Sequence, residues 1–108
     1  METVIETPAY LAAAAAAAAD AGMTEAERDA AVLMVAADPM AGAVMVGTGG
    51  CRKVRVAGKG KGKSGGYRLI TYYVSARGVF LLTVFSKGDK ANLTDAQKAR
   101  LKKALEGL

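Results

Sequence analysis

Histidine and tryptophan are absent from this chain of 108 residues, cysteine occurs once and proline twice. Without histidine, neither a Ser–His–Asp nor a Cys–His nucleophile can be assembled. A single thiol, Cys51, excludes an internal disulfide framework and points to a reducing cytoplasm. No carboxylate stands between Asp38 and Asp89, so the middle of the chain cannot build an ordinary zinc or two-metal site, and no cofactor is expected. The longest apolar run, Ala9 to Ala19, is mostly alanine and far shorter than the ~20 residues of a membrane-spanning helix. Glu2 and Glu6 stand where an export signal would carry positive charge, which again predicts a cytoplasmic protein with no membrane partner.

What is present is positive charge, unevenly spread. The formal net charge is +5. Residues 1–38 hold seven acids and one base, residues 39–88 nine bases and no acid, and residues 89–108 five bases and three acids. Fifty consecutive residues without a carboxylate build a strong positive potential and suit a polyanionic partner such as nucleic acid.

The length fits one domain, residues 1–108, with one modest core. Thr3 to Glu6 reads as a short strand. Pro8 suits the first turn of a helix running from Tyr10 to Ala21, where eight consecutive alanines supply the highest helix propensity and Gly22 a stop. Thr24-Glu25-Ala26-Glu27 is a capping box that opens a second helix ending before Pro39. The tight Gly22-Met23 connection predicts an antiparallel helical hairpin. Beyond it, Val44 to Val46 is a short strand and Gly47 to Gly50 a turn. Arg52 to Ala57 alternates, with Val54 and Val56 on one face and Lys53 and Arg55 on the other. Tyr67 to Val74 and Val79 to Phe85 are strands joined by a hairpin turn, and a second capping box at Thr94 to Gln97 starts a last helix with Leu101 and Leu105 on one face. Helices segregated from a largely antiparallel sheet of four to five strands make an α+β domain.

Two nucleotide-binding look-alikes fail on context. Gly58 to Ser64 has the wrong first spacing for a P-loop, and Gly60 to Gly65 spells the dinucleotide fingerprint, but both run into a strand where a phosphate site needs a helix N-terminus.

One hydrolytic chemistry remains natural for a site of arginine and lysine. RNA carries its own nucleophile, the 2′-OH beside the scissile phosphate. An enzyme must deprotonate it, stabilise charge on the non-bridging oxygens, and protonate the leaving 5′-oxygen. Arginine and lysine donors stabilise that charge, and a lysine crowded by other cations can exchange a proton. The products would be a 2′,3′-cyclic phosphate and a 5′-hydroxyl. The plainer alternative is that these cations only neutralise phosphates, as in a non-catalytic basic RNA-binding protein.

Gly47-Thr48-Gly49-Gly50-Cys51-Arg52-Lys53-Val54-Arg55, then Gly60-Lys61-Gly62-Lys63-Ser64-Gly65-Gly66-Tyr67-Arg68, resembles the signature of HigB-like toxins in the RelE/ParE toxin superfamily. Leu81 to Lys87 and Leu93-Thr94 continue the likeness, with Pro39 and Gly42 upstream. The resemblance implies a RelE-like fold: a helical hairpin on a curved sheet with a basic concave surface. It implies a type II toxin that cleaves mRNA on the ribosome without metal and so inhibits translation. The implied partners are a cognate antitoxin, HigA-like with a helix-turn-helix, together with ribosome and mRNA; operator DNA would be met only through the antitoxin complex. The antitoxin is expected on the helical hairpin or over the acid-poor basic cleft; the alanine-rich first helix presents little to grip, which favours the second helix or a sheet edge.

The resemblance also assigns residues. Arg68 matches the arginine that holds the scissile phosphate. Lys53 and Arg55 match the basic pair on the preceding strand, and Lys87 a basic position near the leaving group. Arg52, Lys59, Lys61, Lys63 and Lys90 are expected to grip RNA or ribosome, and Tyr72 and Tyr73 to stack a base. The chain departs from relatives in three places: no histidine, Thr71 where a tyrosine is usual, and neither Tyr nor Arg in Gly88 to Asn92. These departures leave the general acid and base open. Within the same superfamily, a ParE-like inhibitor of DNA gyrase is the alternative.

Overall fold

A computed structural model describes residues 1–58, 66–86 and 93–108. The Gly/Lys loop with Lys59, Lys61 and Lys63, and the segment with Lys87 and Lys90, lie outside the described residues.

The chain starts with a short strand, β1 (Val4–Glu6), followed by helices α1 (Pro8–Ala21) and α2 (Glu25–Ala37). Thr7 caps α1 by accepting from the Tyr10 amide, Pro8 occupies its first turn, and Gly22 closes it at φ 71°. In α2, the Thr24 hydroxyl accepts from the Glu27 amide while the Glu27 carboxylate accepts from the Thr24 amide, so the expected capping box is complete. Strands β2 (Ala43–Val44), β3 (Arg52–Val56), β4 (Tyr67–Val74) and β5 (Gly78–Ser86) follow, then helix α3 (Asp95–Leu105), which opens on its own capping box at Thr94 and Gln97.

The five strands lie in the order β1-β5-β4-β3-β2, antiparallel except for β1, which runs parallel to β5 at the edge. The fold is therefore the α+β class expected, with three helices and a mixed open sheet among the described residues. Parallel pairing of β1 follows from the α1–α2 hairpin, because a crossover of that length returns the chain to the same end of the sheet.

Each sheet face has its own core. On one, Val54, Val56, Tyr67, Leu69, Val79, Leu81 and Val84 meet Tyr10, Ala14 and Ala17 of α1 and Ala31 and Val35 of α2. Alanine lets α1 lie close against β5, burying the helix face without long side chains. On the other face, Ile70, Phe80 and Leu82 meet Leu101 and Leu105 of α3. In the β4–β5 pairing, Ile70 partners Thr83 and Thr71 partners Leu81, so Leu82 is an extra residue in β5. This bulge gives the α3 face two successive side chains, Leu82 and Thr83.

Candidate nucleic-acid interface

The antiparallel register brings the basic residues together. Arg55 on β3 is directly opposite Arg68 on β4, and Arg68 is opposite Phe85 on β5. Opposed residues project from the same face with Cα atoms about 4.5–5.5 Å apart, so the three form one row across the sheet. The neighbouring row on that face runs Lys53, Ile70, Thr83. Lys53, Arg55 and Arg68 thus share a face with the apolar patch under α3. The helix covers the Phe80 and Leu82 end, and the arginines lie towards the opposite end, where β3 leaves the sheet.

Arg55 is exposed, and Arg68 and Lys53 are half-buried. The only bond of Arg68 among the described residues is from Nη1 to the adjacent Tyr67 carbonyl, at 3.4 Å. The one ion pair among the described residues, Arg28 with Glu6, lies on the other face of the sheet. The Lys53–Arg55–Arg68 charges are therefore not neutralised by any described carboxylate, an arrangement costly to the fold and suited to an anion. Among the described residues no three His, Cys, Asp or Glu side chains come together as metal ligands.

Tyr67 sets the start of β4 beside Arg68. Its ring is fully buried, and its hydroxyl lies 3.4 Å from the Ala21 carbonyl and 3.5 Å from Glu27 Oε1, at the elbow between α1 and α2. Burial first, then the Glu27 charge, pushes the phenol pKa up, so it stays a neutral donor. Gly66 precedes it at φ +90°, where an added Cβ would sit 2.4 Å from the Val56 carbonyl oxygen. Only glycine fits this close approach between β3 and β4.

Two expected RNA contacts lie elsewhere. Alternation puts Arg52 on the helical-hairpin face, where its guanidinium donates to the Gly42 carbonyl at 2.9 Å. Tyr72 and Tyr73 cannot act side by side, because successive strand residues point to opposite faces. Tyr72 packs with the α3-side core beside Gly50, whereas the Tyr73 hydroxyl donates to Glu2 at 2.6 Å on the other face. Thr71 is buried on the hairpin side with its hydroxyl lacking a partner among the described residues. Sequence reasoning did not single out Thr83 or Phe85, because their place beside the basic residues depends on strand pairing. Cys51 is buried, its thiol pKa raised by burial and its Sγ 3.7 Å from the Thr48 carbonyl oxygen.

No helix among the described residues is long and apolar enough to cross a membrane. Residues 20–108 match the family model described as the RelE toxin of the RelE/RelB toxin–antitoxin system. That span takes in α2, all of the sheet except β1, and α3. Fold, basic face and family match agree: the chain belongs to the RelE toxin family, the toxin half of a type II toxin–antitoxin system whose partner is a cognate antitoxin.

Proposed function

We propose that this toxin is a HigB-like endoribonuclease that cuts mRNA on the ribosome by transesterification through the RNA 2′-OH. The observation that carries the reading is the Arg55–Arg68 row, two guanidiniums on one sheet face with Lys53 beside them and no described carboxylate in reach. Arg68, on a strand anchored by Tyr67, holds the non-bridging oxygens of the scissile phosphate. Lys53 and Arg55 hold the flanking backbone and supply the proton-exchange group near the 2′-oxygen. Lys87 protonates or stabilises the leaving 5′-oxygen, while Lys59, Lys61, Lys63 and Lys90 grip phosphates of mRNA or ribosomal RNA. Tyr72 is the tyrosine on the right face to meet a base. The antitoxin, a HigA-like helix-turn-helix protein, carries the complex to operator DNA.

The test is primer extension on an mRNA incubated with purified toxin, with and without ribosomes, using Arg68→Ala as control. Cuts within codons that need both ribosomes and Arg68 are expected, with antitoxin binding by Arg68→Ala unchanged. An equally toxic Arg68→Ala variant, or lost DNA supercoiling with intact mRNA, would replace this reading with gyrase inhibition.

A further inference from the structure

A cavity of about 290 Å³ opens at the β5 end of the two basic rows, between α1 and α3. β1 pairs with β5 only from Val79 to Leu81, so beyond Leu81 the outer edge of β5 faces this cavity and α1 with no strand partner among the described residues. Its walls are largely apolar, with Ala16 from α1, Phe85 from β5 and Leu101 from α3. Three polar side chains line it, Asp20, Thr83 and Gln97. Gln97 Oε1 is engaged in its capping box. Asp20 forms no ion pair among the described residues, and the Thr83 hydroxyl no hydrogen bond. Asp20 also sits in the last turn of α1, where the helix dipole disfavours a carboxylate and no basic residue offsets it.

We infer that this cavity is a nucleobase subsite, in which Asp20 and Thr83 read the Watson–Crick edge of one base next to the phosphate held by Arg55 and Arg68. The inference rests on the nuclease reading for its substrate class and goes beyond it in assigning sequence selectivity. The volume lies at the low end for ligand pockets, suited to a single base rather than a whole nucleotide. Thr83 shares its row with Lys53, and Phe85 shares its row with both arginines. Phe85 is one strand spacing of ~4.8 Å from Arg68 and two from Arg55, and it also walls the pocket, so the pocket adjoins the arginine row. An ionised carboxylate only accepts hydrogen bonds, so it selects a base with adjacent N–H donors. Guanine offers two, at N1 and N2, and its O6 can accept from the Thr83 hydroxyl. Adenine and cytosine offer one amino group each, and uracil sets two carbonyls beside its single N–H.

The experiment measures binding of short fluorescent RNAs to the full chain freed of antitoxin. The RNAs carry 2′-O-methyl groups to prevent cutting and differ in one base only. The guanine RNA should bind about tenfold more tightly than the others, and Asp20→Asn should remove that preference, the discrimination usual for a paired base contact. Thr83→Val should reduce it, and Ala16→Phe, which fills the cavity, should abolish it. Asp20→Asn relieves a carboxylate at a helix C-terminus, so a melting curve at least as high as that of the parent separates lost reading from lost folding. Equal affinity for all four bases, no binding at all, or a guanine preference untouched by Asp20→Asn overturns the inference. A guanine preference in a protein that cuts no mRNA would overturn the nuclease reading and leave the subsite standing.

Discussion

Arg55 and Arg68 are register partners on β3 and β4, so two arginine side chains leave the same sheet face from adjacent strands with no described carboxylate paired to either. Like charges directly opposite in a sheet repel. Replacing Arg55, the exposed partner, with threonine should raise stability by about 0.5 kcal/mol at low salt. Because screening weakens the repulsion it relieves, the gain should vanish near 1 M salt. The same variant should lose mRNA cleavage. Denaturant melts at two salt concentrations beside a cleavage assay check the trade, and a destabilised Arg55→Thr would show that the pair is not under electrostatic strain.

The two adjacent tyrosines should separate cleanly. Tyr72→Ala acts on the basic face and should lower cleavage severalfold. Tyr73→Phe removes only the bond to Glu2 and should lower stability slightly without changing the cleavage rate of the folded protein. Arg52→Ala, which loses the bond to the Gly42 carbonyl, should behave like Tyr73→Phe. Equal loss of cleavage in all three would mean that the two faces are not distinct in function.

Gly66→Ala is expected to be far worse than its size suggests. The new methyl group would meet the Val56 carbonyl oxygen at 2.4 Å, at a φ of +90° that alanine avoids. A loss of about 2 kcal/mol or more should appear in equilibrium unfolding. A near-neutral substitution would show that the β3–β4 approach relaxes easily.

Alkaline pH should unfold the protein early. Burial raises the pKa of Cys51, Tyr10 and Tyr67, and the bond to Glu2 raises that of Tyr73. A raised folded-state pKa means that the native form keeps a proton the unfolded chain gives up. Stability is therefore full below the ordinary values of 9.0 for the thiol and 10.0 for the phenols, and falls as pH rises through them. Tyr67→Phe should flatten the decline above pH 10 while lowering stability at neutral pH by about 1 kcal/mol. A melting temperature independent of pH from 8 to 11 would contradict this.

Local signals along the chain specify the elements and much of their chemistry. Thr24 with Glu27, Thr94 with Gln97, Pro8 and Gly22 act within one helical turn, so their signals are local and the structure honours each. Alternation from Arg52 to Val56 likewise places Lys53 and Arg55 on one face whatever strand pairs beside them. The same rule separates Tyr72 from Tyr73, although both are expected to stack a base. Tertiary structure decided everything that rests on pairing between distant segments. Strand order set β1 parallel to β5, register placed Arg68 against Arg55 and beside Phe85, and the Leu82 bulge turned Thr83 to the basic face. Packing of α3 on that same face left the cavity beside Asp20. Side-chain period and capping are properties of neighbours in the chain, whereas register depends on which buried faces fit together across the whole sheet, and no short stretch of sequence carries that choice.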